Sequence, residues 1–340
     1  MSKHRFNYKW YLKDGYPKSH GLKVFGTFIC GGGSTMGYKL AGFEHLGGVE
    51  IDPEVADVYK TNHNPKYLFV EDIRGFADRK EFPEDLYNLD ILDGSPPCSS
   101  FSMAGNREKD WGKTKVFREG QAEQRLDDLF FDYIRLAKKL QPKVVIAENV
   151  KGLIQGNAKA YVHRIKKEFE AAGYKVQLFL LNAASMGVPQ KRERVFFICQ
   201  RNDLNFPKLE LKFNEQAIPF GVIDEGINIE RENLSKSYTE KWYNTKEGEN
   251  PKAKSGNTFG FMYKTSLIDV CSTITSGGTN AYFLQPKELT KNEYCQIGTY
   301  PLDYNFKKIE PKYLIGMSVP PVMTAQVATE IYNQWLKTGK

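Results

Sequence analysis

The 340-residue sequence predicts an α/β protein with a mostly parallel central sheet and a smaller second lobe. Three observations lead there. Short β-branched runs alternate with amphipathic stretches through residue 200, the pattern of β-α-β units. The first strand candidate runs into a glycine-rich turn, Cys30-Gly31-Gly32-Gly33-Ser34, and then a helix, the layout of a nucleotide-binding unit. From about Leu204 to about Gln285 the texture changes, with Asn, Gly, Lys and Ser rising and the apolar period fading, which reads as loops with short strands.

Strands are expected over Leu22–Ile29, Gly47–Ile51, Tyr67–Ile73, Leu89–Leu92, Lys143–Ala147, Lys175–Leu181 and Arg194–Gln200. Helices are expected near 34–41, 53–62, 122–140 and 157–172. The third of these is the plainest, because Leu126, Leu129, Phe130, Tyr133, Ile134, Ala137 and Leu140 recur at three and four and form one apolar stripe. Past residue 288 the helical period returns, and Val322–Leu336 reads as a helix able to pack back on the first lobe. The organisation expected is a basic lead-in (1–22), a catalytic and cofactor-binding domain (23–203), a recognition lobe (204–286) and a returning C-terminal segment (287–340).

Composition narrows the classes. Hydrophobic residues at 41% and charged residues at 26% exclude extended disorder, and the formal charge of +7 allows a polyanionic partner without requiring one. No apolar run is long enough to span a bilayer and the N-terminus lacks a signal core, so a cytoplasmic protein with no membrane partner is expected. Cys30, Cys98, Cys199, Cys271 and Cys295 are scattered, without C-x-x-C spacing, so neither a disulfide framework nor a metal site is expected.

Reactive groups gather at the predicted carboxyl ends of strands, where open α/β sheets bind ligands. Glu50 closes the second strand and could hold ribose hydroxyls. Asp72 closes the third and could take an adenine amino group, or could be a helix N-cap. The dinucleotide fingerprint is absent, because Met36 stands where its third glycine would be. After the fourth strand comes Asp93-Gly94-Ser95-Pro96-Pro97-Cys98, a thiol behind two prolines, and after the fifth comes Glu148-Asn149-Val150. A thiol there suits nucleophilic attack, and a partly buried carboxyl group could give a proton to a ring nitrogen. Met103–Arg118 carries an excess of three positive charges and could be a lid or a solvated loop. In Gln190-Lys191-Arg192-Glu193-Arg194, strand alternation would put Arg192 and Arg194 on one face, able to bind phosphate or a carbonyl, or leave them as surface charge.

In this order the pieces resemble the DNA (cytosine-5)-methyltransferases, over about 250 residues. FICGGGSTMGYKLAGF (Phe28–Phe43) resembles that family's S-adenosylmethionine (AdoMet) loop, SPPCSSFS its Pro-Cys motif, AENVKGL its Glu-Asn-Val motif and GVPQKRERVFFI its Gln-x-Arg-x-Arg motif. KELTKNEYCQIGTYPLDY and Gly316–Pro320 resemble the last two motifs. Departures are Cys30 at a position usually glycine, Met317 at one usually asparagine, and Gly298-Thr299 in place of Gln-Gly.

The resemblance implies an AdoMet-dependent methyltransferase fold, Rossmann-like, with residues 204–286 as the target-recognition lobe. It implies that Cys98 attacks C6 of a flipped cytosine, Glu148 engages N3 and the exocyclic amine, and Arg194 holds O2. Arg192 and Gln190 would support the site, and Pro97 would position the thiol. Phe28, Gly32, Gly33, Glu50, Ile51, Asp72, Ile73, Leu129, Ser318 and Val319 would contact AdoMet, which leaves as S-adenosylhomocysteine. The implied partner is double-stranded DNA, with a restriction endonuclease acting separately and the enzyme itself a monomer. The rival readings are the same chemistry on tRNA and a catalytically dead DNA-binding relative.

Overall fold

The computed structural model describes residues 4–97, 114–115, 124–125, 129–155, 158–251 and 261–337. Two compact units emerge, each assembled from separate stretches of chain. The larger holds Pro17–Leu181, Glu193–Leu211 and Val327–Lys340. The other holds Met1–Tyr16, Asn182–Arg192 and Lys212–Gln326. No helix among the described residues is long and apolar enough to cross a membrane.

The larger unit is built on seven strands: β1 (Lys23–Thr27), β2 (Glu44–Glu50), β3 (Tyr67–Val70), β4 (Ile91–Gly94), β7 (Val144–Val150), β8 (Tyr174–Asn182) and β10 (Glu193–Arg201). The two-residue strands β5 (Thr114–Lys115) and β6 (Gln124–Arg125) pair antiparallel. The sheet order is β3-β2-β1-β4-β7-β10-β8. The β1–β2, β2–β3, β1–β4 and β4–β7 pairs are parallel, whereas β10 runs antiparallel to β7. The expected Rossmann-like, mostly parallel α/β fold is therefore present.

Helices α1 (Gly33–Leu40), α2 (Pro53–His63), α3 (Ile73–Asp78), α4 (Leu129–Leu140) and α5 (Lys159–Ala171) accompany these strands. The stripe of α4 goes inward as its period requires: Leu129, Phe130, Tyr133, Ile134, Ala137 and Leu140 are all buried and share one core with Leu92, Val145 and Phe197. The Tyr133 hydroxyl lies 2.9 Å from the Leu92 carbonyl and 2.7 Å from that of Ile146, so it fastens α4 to β4 and β7. Gly94 allows that approach, since a Cβ there would stand 2.5 Å from Thr27 Oγ1 and 2.7 Å from Tyr133 Cε2. At the C-terminus, Tyr332 stacks on His20 (ring centroids 4.2 Å apart) and Trp335 donates to the Pro207 carbonyl (2.8 Å).

Several bounds differ from expectation: β2 begins at Glu44 rather than Gly47, β4 runs Ile91–Gly94 rather than Leu89–Leu92, and α4 begins at Leu129, with Gln124–Arg125 a strand inside the helix expected near 122–140. Two of the differences have a plain physical reason. The third strand was expected to reach Ile73 but stops at Val70, because Asp72 accepts from the Arg74 amide (2.9 Å) and caps α3. The strand expected to stop at Ala147 continues to Val150, since its antiparallel neighbour supplies partners: Phe196 opposes Glu148 and Arg194 opposes Val150. Glu148, Asn149 and Val150 thus lie within β7.

The other unit contains β9 (Gln190–Lys191), β11 (Met262–Lys264), β12 (Cys271–Ser272) and β13 (Thr279–Ala281), paired as β11–β13 and β9–β12, with helices α6 (Lys236–Tyr243), α7 (Lys291–Ile297), α8 (Pro311–Met317) and the start of α9 (Pro321–Ile331). Its small core joins Leu234, Trp242, Met262 and Ala281. Beside it the buried Arg231 pairs with the buried Glu293, which also closes a capping box with Thr290 at the start of α7. The N-terminal lead-in as far as Tyr16 belongs here too: Trp10 donates to the Thr299 carbonyl (2.9 Å), and Asp303 accepts from the Leu12 amide (2.7 Å).

Candidate active site

At the carboxyl end of β1 the chain enters an unusual turn. Phe28 (φ 53°), Cys30 (φ 48°) and Gly32 (φ 75°) all adopt left-handed backbone before α1 begins at Gly33. Such alternation turns backbone N–H groups toward one concavity, which suits electronegative ligand atoms. Gly32 has no alternative: a Cβ would stand 2.2 Å from His63 Nε2. Burial, with Lys39 adding to it, pushes the His63 imidazole down to about 3, so the ring backs the turn as a neutral group. We expect Gly32→Ala to weaken AdoMet binding by about 10-fold or more, because the turn must open or accept a strained residue. Calorimetric titration with AdoMet checks this, and unchanged affinity would contradict it.

Glu50 ends β2 beside this turn. One carboxylate oxygen accepts from the Cys30 amide (3.0 Å) and the other from the Asp52 amide (2.9 Å). Burial raises its pKa, and these amide bonds oppose the rise. A carboxylate has about four acceptor positions, so capacity remains for ribose hydroxyls. Of the other sequence-predicted cofactor residues here, Ile51 is partly exposed, Ile73 and Leu129 open α3 and α4 in the core, and Phe28 packs against that core. Asp72 is the α3 cap, with Arg74 Nε 3.7 Å from the capping oxygen.

On β7, Glu148 Oε1 meets Arg194 Nε of β10 at 2.9 Å, with both side chains nearly buried (10% and 13% exposed). Their strands pair so that Arg194 reaches Glu148 diagonally across the ladder. Burial lowers the Arg194 guanidinium's pKa and the Glu148 carboxylate opposes that shift, while Nη1 donates to the Glu193 carbonyl (2.8 Å). Asn149, next to Glu148, donates to the Pro96 carbonyl (3.0 Å) and accepts from the Val150 amide (2.9 Å). It therefore ties the Pro96-Pro97 approach to the strand that carries Glu148. Cys98 and the Met103–Arg118 segment lie outside the described residues, apart from the backbone of Thr114–Lys115.

Gln190 and Arg192 serve the backbone of the smaller unit. Gln190 accepts from the Ile274 amide (3.0 Å) and donates to the Ile297 carbonyl (3.2 Å). Arg192 donates to the carbonyls of Ile274 (3.0 Å), Gly316 (3.1 Å) and Ser318 (2.9 Å). The two side chains thus grip Ile274 from both sides and pin the 316–318 segment, where Ser318 Oγ also takes the Tyr300 hydroxyl (2.6 Å) and Val319 is buried. The expectation that alternation groups Arg192 with Arg194 is not met, because Arg192 falls between β9 and β10 rather than within a strand. We expect Arg192→Ala to destabilise the protein by about 3 kcal/mol or more, since three buried carbonyls lose their donor. Urea unfolding measures it, and a loss below about 1 kcal/mol would show that the grip is dispensable.

Comparison with known proteins decides the family. The model of the C-5 cytosine-specific DNA methylases matches residues 22–333. The chain belongs to that family. Type II methyltransferase M1.HphI of Haemophilus parahaemolyticus is 30% identical over 334 residues, covering 91% of this chain and 86% of that protein. Type II methyltransferase M.Sau96I of Staphylococcus aureus is 37% identical over 342 residues, covering 89% and 74%. A crystal structure of a DNMT2 mutant from Spodoptera frugiperda superposes with a TM-score of 0.65 at 18% identity, covering 92% of this chain and all of that one, a likeness of fold. The family's activity is AdoMet-dependent methylation of cytosine C5 in DNA.

Within this C-5 cytosine methylase, two departures from the family pattern share a cause. Cys30 and Thr299 each stand where glycine is usual, and each has a left-handed backbone (φ 48° and 55°). Each is held by bonds that offset the strain: the Cys30 amide binds Glu50, while Thr299 Oγ1 accepts from the Val322 amide (3.1 Å) and its carbonyl accepts from Trp10. Met317 is 41% exposed. Sequence reasoning passed over His63 and Asn149. The position of Asn149 inside AENVKGL was a signal for it, whereas His63 meets Gly32 only through the packing of α2.

Proposed function

We propose that the chain methylates C5 of a flipped-out cytosine within a short specific sequence of double-stranded DNA, through a covalent bond between Cys98 Sγ and cytosine C6. The observation that carries this reading is the Glu148–Arg194 pair, with Asn149 holding the Pro96 carbonyl to the same strand. AdoMet, when bound, offers a methyl group on a sulfonium. Glu50, with acceptor capacity left, and the left-handed turn at Phe28–Gly32 fit its ribose and amino-acid ends. Gly33, Ile51, Asp72, Ile73, Leu129, Ser318 and Val319 are assigned to the same role on the family motifs.

The protein's own residues do the rest. C5 of cytosine is a poor nucleophile until a thiolate adds to C6 and electron density moves to C5. Glu148 hydrogen-bonds N3 and the exocyclic amine, stabilising the charge that builds as the thiolate adds, and Arg194 holds O2. Pro97 sets the direction of Cys98, and Gln190 and Arg192 act at one remove through the segments they pin. Once C5 carries the methyl group, its proton leaves to a base and the C6–S bond breaks, restoring the double bond and the thiolate. The base must flip out of the stack at a cost of a few kcal/mol, repaid by these contacts.

Reading neighbouring bases falls to the 204–286 lobe, which carries Asn, Gln and Lys on turn-rich segments and suits a site of roughly four to six base pairs. The same reading makes the enzyme a cytoplasmic monomer whose nuclease partner acts separately. Two measurements test the function. Labelled AdoMet should mark unmethylated duplex DNA and leave total tRNA unlabelled. Duplexes carrying 5-fluorocytosine should trap a covalent adduct on Cys98, because fluorine at C5 blocks the final proton loss. Label in tRNA alone would overturn the DNA reading, and failure to trap would overturn the covalent one.

A further inference from the structure

Asp93 is a buried carboxyl group that none of the roles above uses. It lies in β4, five residues before Cys98, and is 7% exposed. Its Oδ1 accepts from the Tyr38 hydroxyl (2.9 Å), and the Ser34 side chain also bonds to it. Both donors sit on α1, the helix that follows the Phe28–Gly32 turn, and Ser34 is its second residue. The Asp93 carbonyl accepts from Thr27 Oγ1 of β1 (3.2 Å). Asp93 pairs in register with Ile146, so Glu148, two residues further along β7, projects from the same sheet face. One carboxyl group thus ties the helix of the cofactor turn to the strand leading to the nucleophile, beside the strand that carries Glu148.

We propose that Asp93 is a positioning residue for methyl transfer: it anchors α1 to β4 through Tyr38 and Ser34, and its charge acts on Glu148 along the shared sheet face. This rests on the reading of Glu148 given above. Burial pushes the Asp93 carboxyl up to about 7, with the nearby Glu148 charge adding to the rise and the Tyr38 and Ser34 bonds opposing it. Among the described residues, the phenols of Tyr59 on α2 and Tyr133 on α4 also interact with Asp93, and both are pushed up and so neutral across the physiological range. Arg194 is paired with Glu148. Near neutral pH, therefore, Asp93 is poised to gain or lose a proton, and the charge it gains lies on the sheet face of Glu148.

The test uses the full chain, tritiated AdoMet and unmethylated plasmid DNA of mixed sequence. Asp93→Asn keeps an acceptor for Tyr38 and Ser34 but removes the charge. Its kcat should lose the inflection near pH 7 that the Asp93 carboxyl gives the natural chain, with the KM for AdoMet little changed. Tyr38→Phe removes a bond that favours the Asp93 charge, so it should move that inflection to higher pH, which keeps the test open should the Asn variant fail to fold. A second readout does not depend on Glu148 chemistry. The folded carboxyl holds its proton more tightly than an unfolded aspartate, so the stability this contributes is complete below pH 4 and is lost as pH rises through about 7. The Asn variant should therefore gain on the natural chain in Tm between pH 5 and 8. Superimposable pH profiles for all three proteins, with Glu148→Gln inactive, would overturn the role of Asp93 and leave that of Glu148 standing. Full activity in Glu148→Gln would instead remove the reading on which the proposal rests.

Discussion

Cys98→Ser is expected to lose methyl transfer by about 10⁴-fold or more while binding AdoMet as the natural chain does. Serine keeps the size of the side chain, but its hydroxyl is almost never ionised near neutral pH, whereas a free thiol is a few per cent thiolate and intrinsically more nucleophilic. Without addition at C6, C5 stays too electron-poor to take a methyl group. Most residues assigned to AdoMet lie instead on the turn after β1 and at the ends of β2 and β3, so cofactor affinity should survive. Tritium incorporation into duplex DNA and calorimetric titration of AdoMet read the two effects separately. Turnover within tenfold of the natural enzyme would remove the nucleophile assignment.

Glu148→Gln should lower kcat by about 10²-fold or more with modest change in DNA affinity, because the amide keeps the shape and loses both the proton and the charge. The same substitution removes the charge that pairs with the nearly buried Arg194 guanidinium, which keeps its bond to the Glu193 carbonyl. A stability loss of about 3 kcal/mol is expected from that unpaired charge. Single-turnover kinetics under saturating DNA isolates the first effect, and denaturant unfolding isolates the second. A stability loss with unchanged single-turnover rate would show that the pair is structural only.

The elements that could be read in advance were those whose local signal agrees with their tertiary use. The α4 stripe, the glycine turn after β1 and the apolar run of β7 each carry a period or a breaker that short-range physics enforces. The β3 end differs because capping by Asp72 competes with strand extension, and a carboxylate followed directly by the apolar Ile73 satisfies either pattern. The β7 end was misread because β10, more than forty residues downstream, supplies the ladder partners that carry it to Val150.

Fold class was legible in the sequence alone, and the order of its motifs pointed to the family, since both depend on local period, turn chemistry and residue order. What those side chains hold was decided by tertiary structure. Arg192 and Arg194 are two positions apart, yet one grips three carbonyls of the smaller unit and the other pairs with Glu148, because Arg192 lies between β9 and β10 while Arg194 lies within β10. Asn149 and Asp93 look like ordinary strand residues until the packing brings Pro96 to one and Tyr38 to the other. A buried polar group must find its partner wherever the fold places one, and in both cases that partner lies more than fifty residues away in the chain.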